Sequence, residues 1–401
     1  MSPRASPTSV RRRLHDALTG LILAERRLHR YYRDGFDRVL RPPLVAAVQA
    51  LIVAGRTGDG LGLAEERIDP GEDAATDEII RLMGQFLRQQ YTGRVAERAG
   101  NTKTYGVVRG ELEVRPDLPT ALRFGVFREP RTYRAWVRFG GPGPLSPPDI
   151  EDNGVLSIGV KLLGVAGPKL LDDERGTQDF TGISAPTFTT PNVFENAKLQ
   201  RQIFEGTPAF YFLDPFNPGD SHVLDGLMQF LYARAQTSPL EVPYYSCVPY
   251  LFGEGRAVQY AFRPRSAVRT PIPARPSDNY LREAMARTLG QGEVSFDFLL
   301  QFQRDPVRMP IEDAGVRWPT RLSPYVPIAT LRLPRQRFDS PAQLAFARRL
   351  SFNPWHSLAE HRPLGNQGRA RRRIYLELSR QRQAMNREPH VEPTGDETFD
   401  G

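Results

Sequence analysis

Between about Arg94 and Pro334, proline and glycine cut the chain into short runs that alternate polar with apolar residues. No other feature of the sequence restricts the fold so strongly. The runs read GVVRGELEV, ALRFGVF, RAWVRFGG, LSIGVKLLGV, PYYSCVPYLFG, AVQYAFRP, VSFDFLLQFQ and IATLRLP. Alternation at a period of two marks half-buried antiparallel strands. So many in one region predict a sandwich or a barrel rather than a wound parallel sheet.

The flanks have a different period. After Thr8 and Ser9, which are placed to cap a helix, Val10, Leu14, Ala17, Leu18, Leu21 and Ile22 recur at helical spacing, with the helix continuing or restarting through Leu28 to Phe36. PPLVAAVQALIVAG has the proline start and the glycine end, at Gly55, of a second helix, and DEIIRLMGQFLRQQY reads as a third. Residues 1–92 are therefore expected to form a helical lead-in and residues 93–340 the β core. Residues 341–388 are expected to be a helical segment built on SPAQLAFARRLSF and GRARRRIYLELSRQRQAMNR. The acidic, proline-containing residues 389–401 are expected to be a disordered tail.

With 401 residues, 40% hydrophobic and 25% charged, the composition is that of a soluble globular protein. The net charge of +8 suggests an anionic partner, yet of 54 basic residues only Lys103, Lys161, Lys169 and Lys198 are lysines, and the arginines are scattered. No run resembles a basic region, a zinc finger or an RNA-binding signature, so no nucleic-acid partner is expected. A single cysteine, Cys247, excludes an internal disulfide framework and fits a buried small hydrophobe. LTGLILAE is too short for a membrane span and no secretory cleavage pattern follows it. The expected location is cytoplasmic.

Phosphate-binding glycine loops, serine-hydrolase elbows and paired-histidine metal helices are absent from the sequence. The histidines, His15, His29, His222, His356, His361 and His390, are not paired at a ligand spacing on a helix. If the chain is an enzyme, a cofactor carries the hard chemistry. In RARRRIYLELSRQR, Arg371, Tyr375 and Arg382 stand at offsets of zero, four and eleven, within about 40° of one another on a helix. One face thus presents a phenol between two guanidinium groups. Arginine beside a tyrosine favours phenolate, the form that ligates a metal. The plainer alternative is a tyrosine flanking the apolar stripe Ala370, Ile374, Leu378, with the arginines solvated.

These residues resemble a known pattern. The chain is similar to the heme catalases, and more closely to the shorter catalase-like (catalase-related) proteins, in which a tyrosine ligates heme iron through Arg-x-x-x-Tyr with a second arginine seven residues later. FNPWHSLAEHRPLGNQGRARRRIY, TYRAWVRFGG, GVKLLGVAGPKLL, TQDFTGISAPTF and DPVRMPIEDAGVRWP resemble further blocks in the same order, from about Arg94 to Arg382. The resemblance implies an α+β fold with an antiparallel β-barrel core of the catalase type, an N-terminal helical lead-in and C-terminal helices. It also implies heme b as cofactor, with Tyr375 as metal ligand and Arg371 acting beside it. Arg98, Arg138 and Arg382 would belong to the heme site, Arg138 on a propionate and Arg98 as a further propionate partner. Phe188 would contact the heme.

The departures from the family pattern fall together. Where the family reads Arg-x-x-His-x-Lys, this chain keeps Arg98 and Lys103 but has Asn101 in place of the distal histidine. Gly140 stands for a supporting serine, Ile183 for a distal asparagine and Glu377 for an aspartate near the tyrosine. An asparagine amide cannot carry the proton that peroxide cleavage moves. The expected function is a catalase-like oxidoreductase acting on hydrogen peroxide or an organic, fatty-acid type hydroperoxide, with weak dismutation. A hydroperoxide isomerase or lyase, a heme-binding protein without turnover, and a barrel without heme are the alternatives. A monomer or homodimer is expected.

Overall fold

The computed structural model describes residues 7–56 and 60–399. Nine antiparallel strands form one sheet: β1 Thr104–Val114, β2 Thr132–Gly140, β3 Ser157–Leu163, β4 Thr177–Ile183, β5 Tyr244–Tyr245, β6 Tyr250–Leu251, β7 Ala257–Pro264, β8 Val294–Phe302 and β9 Val326–Leu333. Strand β5 pairs with both β4 and β7, which closes eight of them into a barrel; β6 pairs with the other half of β7. The sequence expectation of a sandwich or barrel thus resolves to a barrel. Two of its details differ. ALRFGVF is not a strand but two 3₁₀ turns, because Gly125 takes a left-handed φ of +51°. TQDFTGI is a strand although its middle is polar.

Alternation along β2 sorts its side chains between two environments. Val137 and Phe139 join the barrel core, whereas Trp136 lies on the outer face against Phe346, Ala347 and Leu350. The interior is filled by aromatic rings, with Phe298 5.3 Å from Phe127, 5.1 Å from Phe180 and 4.9 Å from Phe262. A core packed in this way leaves the outer wall to carry any site.

Helices α1 Pro7–Val39, α2 Arg41–Gly55 and α3 Glu72–Gln90 form the lead-in. After β4 come α4 Val193–Phe204, α5 Ala209–Phe212 and α6 Val223–Tyr232; α7 Tyr280–Gln291 precedes β8, and α8 Pro341–Arg349 and α9 Gly365–Asn386 end the chain. Thr8 and Ser9 lie within the range of α1 rather than ahead of it. The apolar stripe of α1 is turned outward: Val10, Leu14, Leu21 and Ile22 are exposed, while His15, His29, Arg33 and Asp37 are buried. Among the described residues no single helix is long and apolar enough to cross a membrane.

Residues 389–399 differ from the expected disordered tail. Arg109 donates to the Gly395 carbonyl at 2.8 Å, the Trp136 indole donates to Glu397 at 3.0 Å, and the Phe399 ring lies 5.1 Å from Phe346. The carboxylates that argued for disorder find arginine and indole partners on the outer face of β1 and β2.

Candidate functional site

Helix α9 is fixed at its start before it presents anything. Gly365 has φ +76°, and a Cβ there would lie 2.4 Å from the Ile311 carbonyl oxygen, so only glycine fits. One turn on, Arg369 pairs with Glu66 at 2.6 Å, Glu72 at 2.6 Å and Glu312 at 3.1 Å. The Trp355 indole donates to the Gly368 carbonyl at 2.7 Å. These contacts set the rotation of the helix, and Ala370, Ile374 and Leu378 then pack with α3 and α4 in one apolar cluster.

The neighbouring face carries Arg371, Tyr375 and Arg382, as the spacing predicted. Both arginines are buried, at 8% and 3% exposure, which rules out the reading in which they are solvated. The Arg371 guanidinium lies over the Phe188 ring at 4.9 Å. Burial opposes its charge, but the nearby Tyr375, Tyr250 and Tyr260 phenols and the Cys247 thiol outweigh that and raise its pKa. Cys247 is buried as expected, and burial pushes its thiol up to about 12.

Arg98, Arg138 and Arg382 converge from three parts of the chain. Arg98 Nη2 donates to the carbonyls of Ala347 at 3.0 Å and Leu350 at 2.5 Å, and Arg382 Nη2 donates to the same Leu350 carbonyl at 3.2 Å. Arg138 donates to the Thr104 hydroxyl at 2.9 Å and to the Asn101 carbonyl at 2.6 Å. Among the described residues none of the three makes an ion pair with a carboxylate; Glu97 acts on them only through its field. Burial pushes Arg138 and Arg382 down to about 10, with mutual repulsion adding for Arg138, and Arg98 well below its ordinary value. The Arg98 Nη1 group is buried with no hydrogen-bond partner. Three like charges drawn together, two of them buried, with a donor left over is an arrangement that costs stability and suits an anion.

Asn101 reaches this cluster through its backbone. Its φ of +47° is left-handed, a region asparagine tolerates better than most residues. Gly140 belongs to the same arrangement, since a Cβ there would lie 2.6 Å from Arg138 Nη1. The serine that the family pattern has at this position would collide with the Arg138 conformation that captures the Asn101 carbonyl. Ile183, the last residue of β4, pairs with Tyr245. Lys103 is structural: its ammonium is held by Asp149 at 2.6 Å and the carbonyls of Pro147 at 2.7 Å and Asp278 at 2.6 Å. A cleft of about 420 Å³ shares Glu97 and Thr104 with the surroundings of the arginines, but Tyr375, Asn101 and Phe188 do not line it.

Sequence reading missed a second polar cluster. Lys161, Glu174 and Asp179 are fully buried; the Lys161 ammonium bonds Glu174 and lies 2.8 Å from Asp179, and His356 lies 2.9 Å from Asp179 and 3.1 Å from Asp173. Burial and the Lys161 charge oppose a proton on His356, but hydrogen bonds to Asp173 and Asp179 win and raise its pKa to about 9. Glu174, Asp179 and His356 offer ligand atoms close enough for a metal, but Lys161 already supplies the cation between them. The lone polar residues inside GVKLLGV and TQDFTGI were the signal for it.

The fold defines a class: the chain has the catalase fold. Among solved structures it resembles a fungal catalase with a TM-score of 0.57 at 17% identity, over 74% of this chain and 61% of that one. It also resembles a bacterial catalase with a TM-score of 0.56 at 15% identity, over 80% of this chain and 66% of that one. The chain thus spans less than two-thirds of either, and at these identities the likeness carries the fold alone. No family profile matches the sequence, and no curated protein matches it.

Proposed function

We propose that the chain binds heme b beside α9, where Arg98 and Arg138 meet Arg382, and acts on a peroxide, preferentially an organic hydroperoxide. The observation that carries this reading is the convergence of the buried Arg138 and Arg382 with the half-buried Arg98, none of them paired with a carboxylate and with one buried donor, Arg98 Nη1, unpartnered. They would hold the carboxylates of the cofactor. Tyr375 would supply an oxygen ligand to its iron, with Arg371 one turn before it placing positive charge beside the phenol, and Phe188 would pack against the cofactor. Bound in this way, a tyrosinate-ligated heme supplies the redox chemistry for oxygen–oxygen cleavage.

What the protein does around that centre follows from its proton inventory. Asn101 donates and accepts hydrogen bonds and so orients a peroxide, but it carries no proton at neutral pH. The histidines of the C-terminal segment are committed elsewhere. His356 has both ring nitrogens on carboxylates, at 2.9 Å and 3.1 Å. His361 Nε2 accepts from the Val126 N–H at 3.1 Å, and burial pushes its pKa down to about 4, so it stays neutral. Loss of general acid–base help costs about 10²–10⁴ in rate. Dismutation of hydrogen peroxide is therefore slow, and rearrangement or cleavage of an organic hydroperoxide, which needs less proton shuttling, is favoured. Hemin-loaded protein mixed with hydrogen peroxide or with a fatty-acid hydroperoxide tests this: the lipid substrate should be consumed faster. A bound heme that changes with neither peroxide would leave a binding protein without turnover.

A further inference from the structure

We propose that α1 pairs with α1 of a second copy of this chain as an antiparallel two-helix seam. Helix α1 is fastened to the body by its polar side. The His29 ring accepts from the Ala235 N–H at 2.8 Å, Arg33 donates to the Leu231 carbonyl at 2.6 Å, and Asp37 accepts from Arg234 at 2.8 Å. The apolar side is left facing solvent, the reverse of the usual surface helix. Val10, Leu14, Ala17, Leu21, Ala24, Leu28 and Tyr31 are all exposed, Leu21 at 69%, Leu28 at 55% and Tyr31 at 72%.

Their spacing is the argument for another helix. Successive steps along this set alternate between four and three residues, the a/d repeat of paired helices, and extend about 32 Å from Val10 to Tyr31. Leucine occupies every a position from Leu14 to Leu28, and the small Ala17 and Ala24 occupy d positions between them. Parallel pairing would stack leucine on leucine and alanine on alanine, so that successive layers demand different helix separations. An antiparallel two-fold instead sets Leu21 against the second copy's Ala24, Ala17 against its Leu28 and Val10 against its Gly35, large opposite small. Leu14 then meets Tyr31 at each end. Charge agrees with this register: Arg13 flanks the seam near Asp34 of the second copy, whose side chain is 76% exposed although Arg234 holds it. A two-fold repeats that pair at the other end and closes the assembly at two copies. A lipid surface fits less well, because it rewards a broad apolar face with basic flanks. Arg13, Arg27 and Arg38 do flank this stripe, but it is narrow and Asp16 and Asp34 share the same side.

The test uses the full chain and does not depend on heme. Sedimentation equilibrium should give twice the 45.2 kDa chain mass. In the double variant Leu21→Glu/Leu28→Glu the dissociation constant should weaken at least 100-fold with unchanged circular dichroism, because both side chains are exposed in one copy. Cys247 is buried, so introduced thiols report cleanly. A mixture of Leu14→Cys and Tyr31→Cys chains should cross-link, and Leu14→Cys alone should not. A single-copy mass at tens of micromolar, or a dimer indifferent to the double variant, would overturn the proposal. So would self-cross-linking by Leu14→Cys, which reports a parallel pair, or a single copy that co-sediments with phosphatidylserine vesicles, which assigns the stripe to lipid.

Discussion

At Asn101 the backbone and the chemistry can be separated. Asparagine and histidine both tolerate the left-handed conformation found there, so Asn101→His changes the proton inventory without forcing the chain to move. Hemin-loaded Asn101→His protein is predicted to dismutate hydrogen peroxide at least about 10-fold faster than the parent. Equal oxygen evolution at equal heme content would contradict the role given to this side chain. Arg98 offers a different test. Replacing it by methionine removes a half-buried charge with a buried, unpartnered Nη1 and two like-charged neighbours. The thermal midpoint of the cofactor-free protein should not fall, while hemin affinity should drop at least about 10-fold. A structural arginine would give the opposite pair of results. Arg371, Tyr375 and Arg382 were legible in the sequence because helical geometry is fixed by spacing. That Arg98 and Arg138 would join Arg382 was not readable from spacing, since a barrel and a loop bring them there; it came from the resemblance.

Among the elements, the 3₁₀ turns before β2 show why ALRFGVF misled. Its apolar residues suit a strand, but Gly125 reverses the backbone, and a Cβ on it would lie 2.2 Å from His361 Nε2. Gly125→Ala is predicted to cost about 2–4 kcal/mol, from left-handed strain together with displacement of a packed ring. Urea unfolding measures it, and a loss below 1 kcal/mol would show that the His361 ring yields freely. Strand β4 escaped notice for a related reason. Gln178 and Asp179 are buried in it, and their partners lie on the segment before α9, out of reach of a local pattern. In α1 the apolar period was legible but its direction was not, because the body binds the polar side of that helix.

Over the whole molecule, the cluster of Lys161, Glu174, Asp179 and His356 ties the barrel wall to the segment that leads into α9. The pKa of His356, raised to about 9, exceeds its unfolded value near 6.5, so the folded state holds this proton more tightly. Its contribution is complete below pH 6.5 and is lost as pH rises through 9. The denaturation midpoint should therefore fall over that window, by an amount worth roughly 3 kcal/mol, and should fall less in His356→Gln. Parallel pH profiles for the two proteins would mean that another group controls the slope. A sandwich or barrel was readable from alternation, whereas the closure into a barrel, through the short strand β5 just before Cys247, was not, because a strand of two residues leaves no periodicity.

The central claim is that the α9 face and the buried arginines are one heme site, and a hemin titration followed by absorption spectroscopy tests it most directly. The parent protein should develop a saturable Soret band with the charge-transfer features of a tyrosinate ligand. Tyr375→Phe should lose those features or the heme itself. A protein that stays colourless, or a Tyr375→Phe spectrum identical to the parent's, would contradict the account.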